Sequence, residues 1–161
     1  VDISLEPVQL EQKPILQRLL ELYVYEFSVY IPSIELKEDG TFGFDDLDLY
    51  FSSEQFDSYF IRVMDQLAGF AIVKKTNSDE GYDYFMEQFF ILKKYQGKGT
   101  GSEAAKQVFD RYPGRWRVVQ IEKNYPAQAF WRNVIYRYTD GNVVESYDVM
   151  RRSVQEFDNR R

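Results

Sequence analysis

The chain has 161 residues, with 20 Lys and Arg against 26 Asp and Glu for a net charge of −6. That length buries roughly two thirds of the unfolded surface around one core, and the charge has the wrong sign for a protein that neutralises nucleic-acid phosphates. Cys and His are both absent, which excludes disulfide frameworks, the usual zinc sites, thiol nucleophiles and His-based triads.

Proton transfer near neutral pH must then fall to a carboxylate, a Tyr, a Lys or water. No apolar run is long enough to span a bilayer, so neither a membrane nor a nucleic acid is expected as partner. The lack of Cys suits a cytoplasmic setting. A start at Val1 rather than Met leads us to expect trimmed upstream residues, with a removed signal peptide left open.

Residues Ile3 to Val8 read as a strand. Lys13 to Tyr30 reads as a helix, with Leu16, Leu19, Leu20, Tyr23, Phe27 and Tyr30 on one stripe and Pro32 as its stop. The acidic segment Ser33 to Gln55 reads as loop with a short helix near Leu47 to Phe51, most of its charge being solvated surface. Tyr59 to Met64 and Gln66 to Lys75 form an expected hairpin turning at Asp65, and a dense turn follows over Thr76 to Gly81.

Tyr82 to Leu92 is a long strand candidate, followed by a basic, Gly-rich loop and a helix from about Gly99 to Tyr112. Trp116 to Ile121 has strand length, and Pro126 to Ile135 has helical spacing with Pro suited to its first turn. Tyr136 to Asp140 and Val143 to Met150 are the closing strands, and Arg151 to Arg161 reads as a charged tail, frayed at least at its end. The order predicts one α/β layered domain over 1–161 with a mixed, mostly antiparallel sheet.

Chemistry concentrates where a strand runs through Phe89, Phe90, Ile91 and Leu92 into Lys93-Lys94-Tyr95-Gln96-Gly97-Lys98-Gly99-Thr100-Gly101. Three glycines at alternate positions let the backbone turn tightly and approach a ligand closely. Main-chain N–H groups beside a helix N-terminus then make a site for phosphate or pyrophosphate. The spacing fails both common nucleotide signatures, since Gly97-Lys98 is followed by Gly99 and the glycines read G-x-G-x-G. On its own such a loop is also a plain strand-to-helix turn.

Gln96-x-x-Gly99-x-Gly101 resembles the Q/R-x-x-G-x-G/A loop of the GNAT superfamily of N-acetyltransferases. Asn124-Tyr125-Pro126-Ala127-Gln128-Ala129-Phe130-Trp131 is similar to that family's N-x-x-A-x-x-F-Y/W stretch, in the same order and context. The likeness is sharp over about residues 84–136. It implies a three-layer α-β-α domain whose sheet splays between the fourth and fifth strands. It also implies acetyl-CoA as co-substrate, with no metal, and direct transfer of acetyl to a primary amine.

By the same resemblance, Phe90, Ile91 and Leu92 would pair with the pantetheine arm. Main-chain N–H groups of Gln96, Gly97, Lys98, Gly99, Thr100 and Gly101 would hold the pyrophosphate. Asn124 would bind the arm through its amide, with Phe130 and Trp131 as walls. Many relatives pair as dimers, so a homodimer is a further expectation. The acceptor would be a small-molecule or peptide amine, and the net negative charge mildly favours a cationic one.

The chain departs from the family where Trp131 replaces a Tyr that often protonates the leaving thiolate. An indole N–H donates a hydrogen bond but is no acid at neutral pH. Tyr125 and Tyr136 are the substitute candidates, with solvent as the alternative. For the base, Glu87 lies on the strand before the loop, and period-two alternation sets it on one face with Phe89 and Ile91. An ion pair across the sheet is the competing role for it, and Glu80, Asp83 and Glu122 are weaker candidates. A non-catalytic acyl-CoA-binding domain and a protein-interaction module are the rival functions.

Overall fold

The computed structural model describes residues 2–160, apart from the side chain of Ser78. Its centre is a seven-stranded sheet in the order β1-β2-β3-β4-β5-β7-β6. The strands are β1 Ile3–Pro7, β2 Phe56–Val63, β3 Gln66–Lys75, β4 Tyr84–Ile91, β5 Arg115–Gln120, β6 Val144–Tyr147 and β7 Ser153–Asp158. The helices are α1 Lys13–Phe27, α2 Leu47–Ser52, α3 Thr100–Arg111 and α4 Tyr125–Thr139. Every neighbouring pair is antiparallel except β4 with β5, which is parallel. No helix among the described residues is long and apolar enough to cross a membrane.

Two apolar clusters lie on opposite faces of the sheet, so the fold is the expected three-layer α-β-α sandwich. On one face Leu16, Leu19 and Leu20 of α1 and Tyr50 of α2 pack on Phe60, Phe70, Ile72 and Phe90. On the other, Ala104, Val108 and Phe109 of α3 and Trp131 and Ile135 of α4 cover Ile61, Val73, Trp116 and Phe157. The hairpin turns at Met64 and Asp65, whose φ values of 47° and 68° are those of a two-residue primed turn. β3 and β4 approach closely at Gly69, where any Cβ would lie 1.9 Å from the Phe90 carbonyl oxygen.

Three expectations need correction. α1 stops at Phe27 rather than Tyr30, because Ser28 turns back on Tyr25 and Tyr30 on Phe27 before Pro32 is reached. Tyr136 to Asp140 is not a strand: Tyr136 to Thr139 is the last turn of α4, and Asp140 ends the helix in the left-handed region at φ 51°. Tyr138 extends the stripe of Trp131 and Ile135 by packing on Phe109 and Phe157, with ring centroids 5.1 and 5.9 Å away, so burial overrides the strand propensity of the local sequence.

Residues Arg151 to Arg160 are likewise no loose tail, since Ser153–Asp158 forms β7, paired on both sides; Arg161, the expected frayed end, lies outside the described residues. Val154, Gln155 and Phe157 are buried there, while Glu156 meets Arg117 at the surface and Asp158 meets Arg160. The outward charges had masked the alternation.

Candidate acetyl-transfer site

The parallel pairing of β4 with β5 covers only Tyr84 with Trp116 and Phe85 with Arg117. At its start Asp83 accepts from the Arg115 N–H at 2.8 Å and from the guanidinium at 3.0 Å, which clamps the two strands together. The guanidinium and the backbone N–H beside Asp83 hold its carboxyl below the usual aspartate range. Past Phe85 and Arg117 no strand pairing among the described residues joins the two, which leaves a gap, or cleft, in the sheet between their C-terminal halves. The splay falls between the fourth and fifth strands, where it was expected.

The edge of β4 that faces this cleft follows from ladder parity. Leu92 N–H donates to the Ala68 carbonyl at 2.8 Å, so Leu92, Phe90 and Gln88 are the residues bonded to β3. Phe89 and Ile91 present their main-chain groups to the gap instead. The Ile91 carbonyl already accepts from the Gln96 side-chain amide at 2.7 Å, while the Ile91 N–H stays turned to the gap, one pleat beyond that of Phe89. Of the three residues expected to pair with a pantetheine arm, Ile91 is thus the one with a main-chain donor to give. Phe90 and Leu92 put their main-chain donors into the sheet.

Beyond β4 the loop is braced at its base by that Gln96 amide and by the Gln96 N–H bonded to Lys93 at 3.1 Å. Gly97 and Gly99 have φ of 74° and 80°, and a Cβ on either would meet nothing within 4 Å. The main-chain N–H groups of Gly97, Lys98, Gly99, Thr100 and Gly101 make no hydrogen bond among the described residues, and the first helical bond of α3 is Glu103 to Gly99. Thr100 is buried while Lys98 stands exposed beside these donors. At Gly101 a Cβ would come within 2.9 Å of the Phe130 ring, so α4 packs directly against the start of α3. An open cradle lined by donors fits a diphosphate.

α4 begins on the far side of the cleft. Asn124 is buried and its side-chain oxygen accepts from the Ala127 N–H at 3.2 Å, so that oxygen caps α4. Phe130 stacks on Phe89 at 6.0 Å, and Trp131 meets Phe89 edge-on at 4.9 Å. Trp131 is 6% exposed and also packs on Phe109, so it is a core residue beneath the cleft. Tyr125 stands exposed in the first turn of α4. Tyr136 does not join the site: it sits near the other end of α4 with its ring against Gly141, about 16 Å along the axis from Tyr125 at 1.5 Å per residue.

Glu87 is where alternation fails. Val73 pairs with Met86 but Ile72 pairs with Gln88, so Glu87 is an extra residue in β4, a bulge. The strand changes phase there: Met86 belongs to the α3/α4 face, whereas Phe90 belongs to the α1/α2 face. Glu87 therefore does not share a face with Phe89 and Ile91. It turns toward α2, where its carboxylate accepts from the Tyr50 hydroxyl at 3.1 Å. Burial raises the Glu87 carboxyl above the usual glutamate range, against the Tyr50 hydrogen bond and Lys74, with Asp46 adding to the rise. No ion pair holds it among the described residues.

Sequence reasoning missed Tyr23, Tyr50 and Gln88, which surround Glu87. The available signal was the doublet Glu87-Gln88 in an otherwise apolar strand, which breaks a period of two. Glu80, Asp83 and Glu122 lie elsewhere: Glu80 accepts from Tyr82, Asp83 holds Arg115, and Glu122 faces Arg151 at 3.6 Å. The acidic loop is strapped down, with the Glu21 carboxylate accepting from Phe42 N–H at 2.7 Å and Gly43 N–H at 2.8 Å, and Asp48 paired with Lys13.

The splayed sheet, the donor-rich loop and the helix after it define an acyltransferase fold. The acetyltransferase (GNAT) family model matches residues 16–134, and the chain belongs to that family. Among solved structures, an acetyltransferase from Thermus thermophilus superposes with TM-score 0.72 at 18% identity, covering 98% of this chain and 97% of that one. A spermidine N-acetyltransferase mutant from Vibrio cholerae gives 0.63 at 11% identity, covering 97% and 93%. A GNAT family acetyltransferase from Elizabethkingia anophelis with acetyl-CoA bound gives 0.58 at 12%, covering 97% of each chain. No curated protein matches the sequence significantly.

Proposed function

We propose that the chain is an acetyl-CoA-dependent N-acetyltransferase that moves acetyl directly from the thioester to a primary amine. The observation that carries this is the run of main-chain donors from Gly97 to Gly101 without partners among the described residues, beside the gap edged by the Ile91 N–H. The acetyl-CoA bound to the Elizabethkingia relative supports the choice of co-substrate. The spermidine acceptor named for the Vibrio relative supports an amine, and Glu87 with Asp46 gives the acceptor side a negative field suited to a cationic one. The absence of Cys supports work in the cytoplasm.

Acetyl-CoA supplies an activated acyl group whose thiolate is a good leaving group. Gly97 to Gly101 and Lys98 would hold its diphosphate, and the Ile91 N–H would donate to the acyl oxygen as negative charge builds there. Glu87 would take the proton that an alkyl ammonium must lose before its lone pair can attack. As the C–N bond forms and the C–S bond breaks, the thiolate takes a proton from solvent or from Tyr125. Trp131 takes no part in that proton transfer, being buried in the core.

Calorimetry against acetyl-CoA up to millimolar concentration tests the cofactor, and thiol release across a panel of primary amines tests the transfer. Binding with release on at least one cationic amine is expected. No heat of binding would overturn the reading, and binding without release on any amine would leave an acyl-CoA-binding domain.

A further inference from the structure

Tyr23, Gln88, Tyr50 and Glu87 form one continuous hydrogen-bonded chain from α1 across β4 to α2 and back. The Tyr23 hydroxyl donates to the Gln88 side-chain oxygen at 2.7 Å. The Gln88 side-chain N–H donates to the Tyr50 oxygen at 3.1 Å, and the Tyr50 hydroxyl donates to Glu87 at 3.1 Å.

The direction of this chain is dictated by its end. An ionised carboxylate only accepts, so Tyr50 must give its single proton to Glu87. Its oxygen is then left to accept, which turns the Gln88 N–H toward it. The Gln88 oxygen in turn faces Tyr23, which donates. The two phenols stay protonated, since burial and the nearby Glu87 charge push both far above the normal tyrosine range.

The frame around the chain is stiff. Tyr50 is 4% exposed and lies against Phe44 and Phe56, with ring centroids 5.8 and 4.9 Å away. Tyr23 packs edge-on against Phe70 and Phe90 at 5.4 and 5.6 Å. The bulge lets two consecutive residues, Glu87 and Gln88, both join this network, which a regular strand would send to opposite faces.

We propose that Tyr50 is a positioning residue for amine deprotonation: backed by Gln88 and Tyr23, it holds the Glu87 carboxylate ionised and aimed along the β4 bulge. This rests on Glu87 being the base. The charged and titratable groups facing Glu87 are Tyr23 from α1, Asp46 before α2, Tyr50 within it and Lys74 from β3. Tyr50 and Lys74 favour the carboxylate, while burial and Asp46 disfavour it. Removing the Tyr50 hydroxyl therefore makes Glu87 harder to ionise, and the rate must fall off at a higher pH.

The test is the pH dependence of kcat and kcat/KM for Tyr50→Phe, Tyr23→Phe and Glu87→Gln, with acetyl-CoA affinity and thermal melting of each. Tyr50→Phe keeps the packed ring, and its acid limb is expected to move up by on the order of one pH unit. Tyr23→Phe, two links back, is expected to move the same limb in the same direction by less. Acetyl-CoA affinity stays unchanged in both, and a limb belonging to the amine itself stays put in every variant.

An unmoved limb in folded Tyr50→Phe overturns the positioning role, even where acceptor KM rises. Should that variant fail to fold, an unmoved limb in Tyr23→Phe has the same force. Glu87→Gln separates the two readings. If it keeps the wild-type limb, the base assignment falls; if it loses the limb while Tyr50→Phe keeps it, only the positioning role falls.

Discussion

Replacing Gly99 by Ala separates a ligand cradle from a mere turn. Gly99 has φ 80° and opens α3, with nothing within 4 Å of the position its Cβ would take. The protein would lose only backbone ease: about 1–2 kcal/mol for an L-residue in the left-handed region. About 0.4–1 kcal/mol of that is offset by the lower entropy of the unfolded chain. A net loss near 1 kcal/mol lowers Tm by about 2–4 °C in a chain of this size.

The ligand would lose more. A methyl group in that open space blocks the close approach of a diphosphate to the loop's N–H groups. A hydrogen bond to a charged group is worth about 1.5–3 kcal/mol, so Kd for acetyl-CoA is expected to rise about ten- to a hundredfold. Gly81 is the matched control, with φ 84°, nothing within 4 Å, and a place at the opposite end of β4. Gly81→Ala should cost a similar Tm and leave Kd alone. Calorimetry and thermal melts on both variants give the comparison. If Gly99→Ala loses stability while binding acetyl-CoA as tightly as Gly81→Ala, the cradle is refuted.

Three other outcomes follow from geometry already described. Trp131→Tyr, which restores the residue common in the family, should gain no kcat, since the side chain is buried against Phe89 and Phe109; melting should show a loss of about 1–3 kcal/mol. Tyr136→Phe should leave kcat/KM within about twofold, because its ring lies at the far end of α4; steady-state rates check this. Asp83→Asn should lower Tm near neutral pH, as read by melts across pH. The folded Asp83 pKa is depressed, so the stability it gives is full above the unfolded value and is lost as pH falls through the folded one. The deficit of the variant should accordingly vanish in acid below the ordinary aspartate range.

The loop proposed to hold the cofactor was legible as a loop because its features lie in one stretch: Gln96, Gly99 and Gly101 signal a turn, a helix start and open donors together. The surroundings of Glu87, proposed as the acceptor side, were not legible. The bulge inverts the rule by which Glu87 was assigned a face, and Tyr23 and Tyr50 reach it from helices that nothing local connects to β4. The same difference explains the secondary structure. β1 to β5 show their pattern in sequence, but β7 is paired on both sides with charges at its outward positions, so it reads as solvated chain. The last turn of α4 depends on Tyr138 finding Phe109 and Phe157, a contact made only in the folded core.

The place of β7 bears on how the polypeptide is made. It follows the other six strands of the sheet in the chain, yet it lies between β5 and β6. Until Ser153–Asp158 leave the ribosome, Trp116 and Val118 belong to an unsealed rim, and β6 has no neighbour to dock on. Nascent chains halted before that point should be targets for chaperones and proteases.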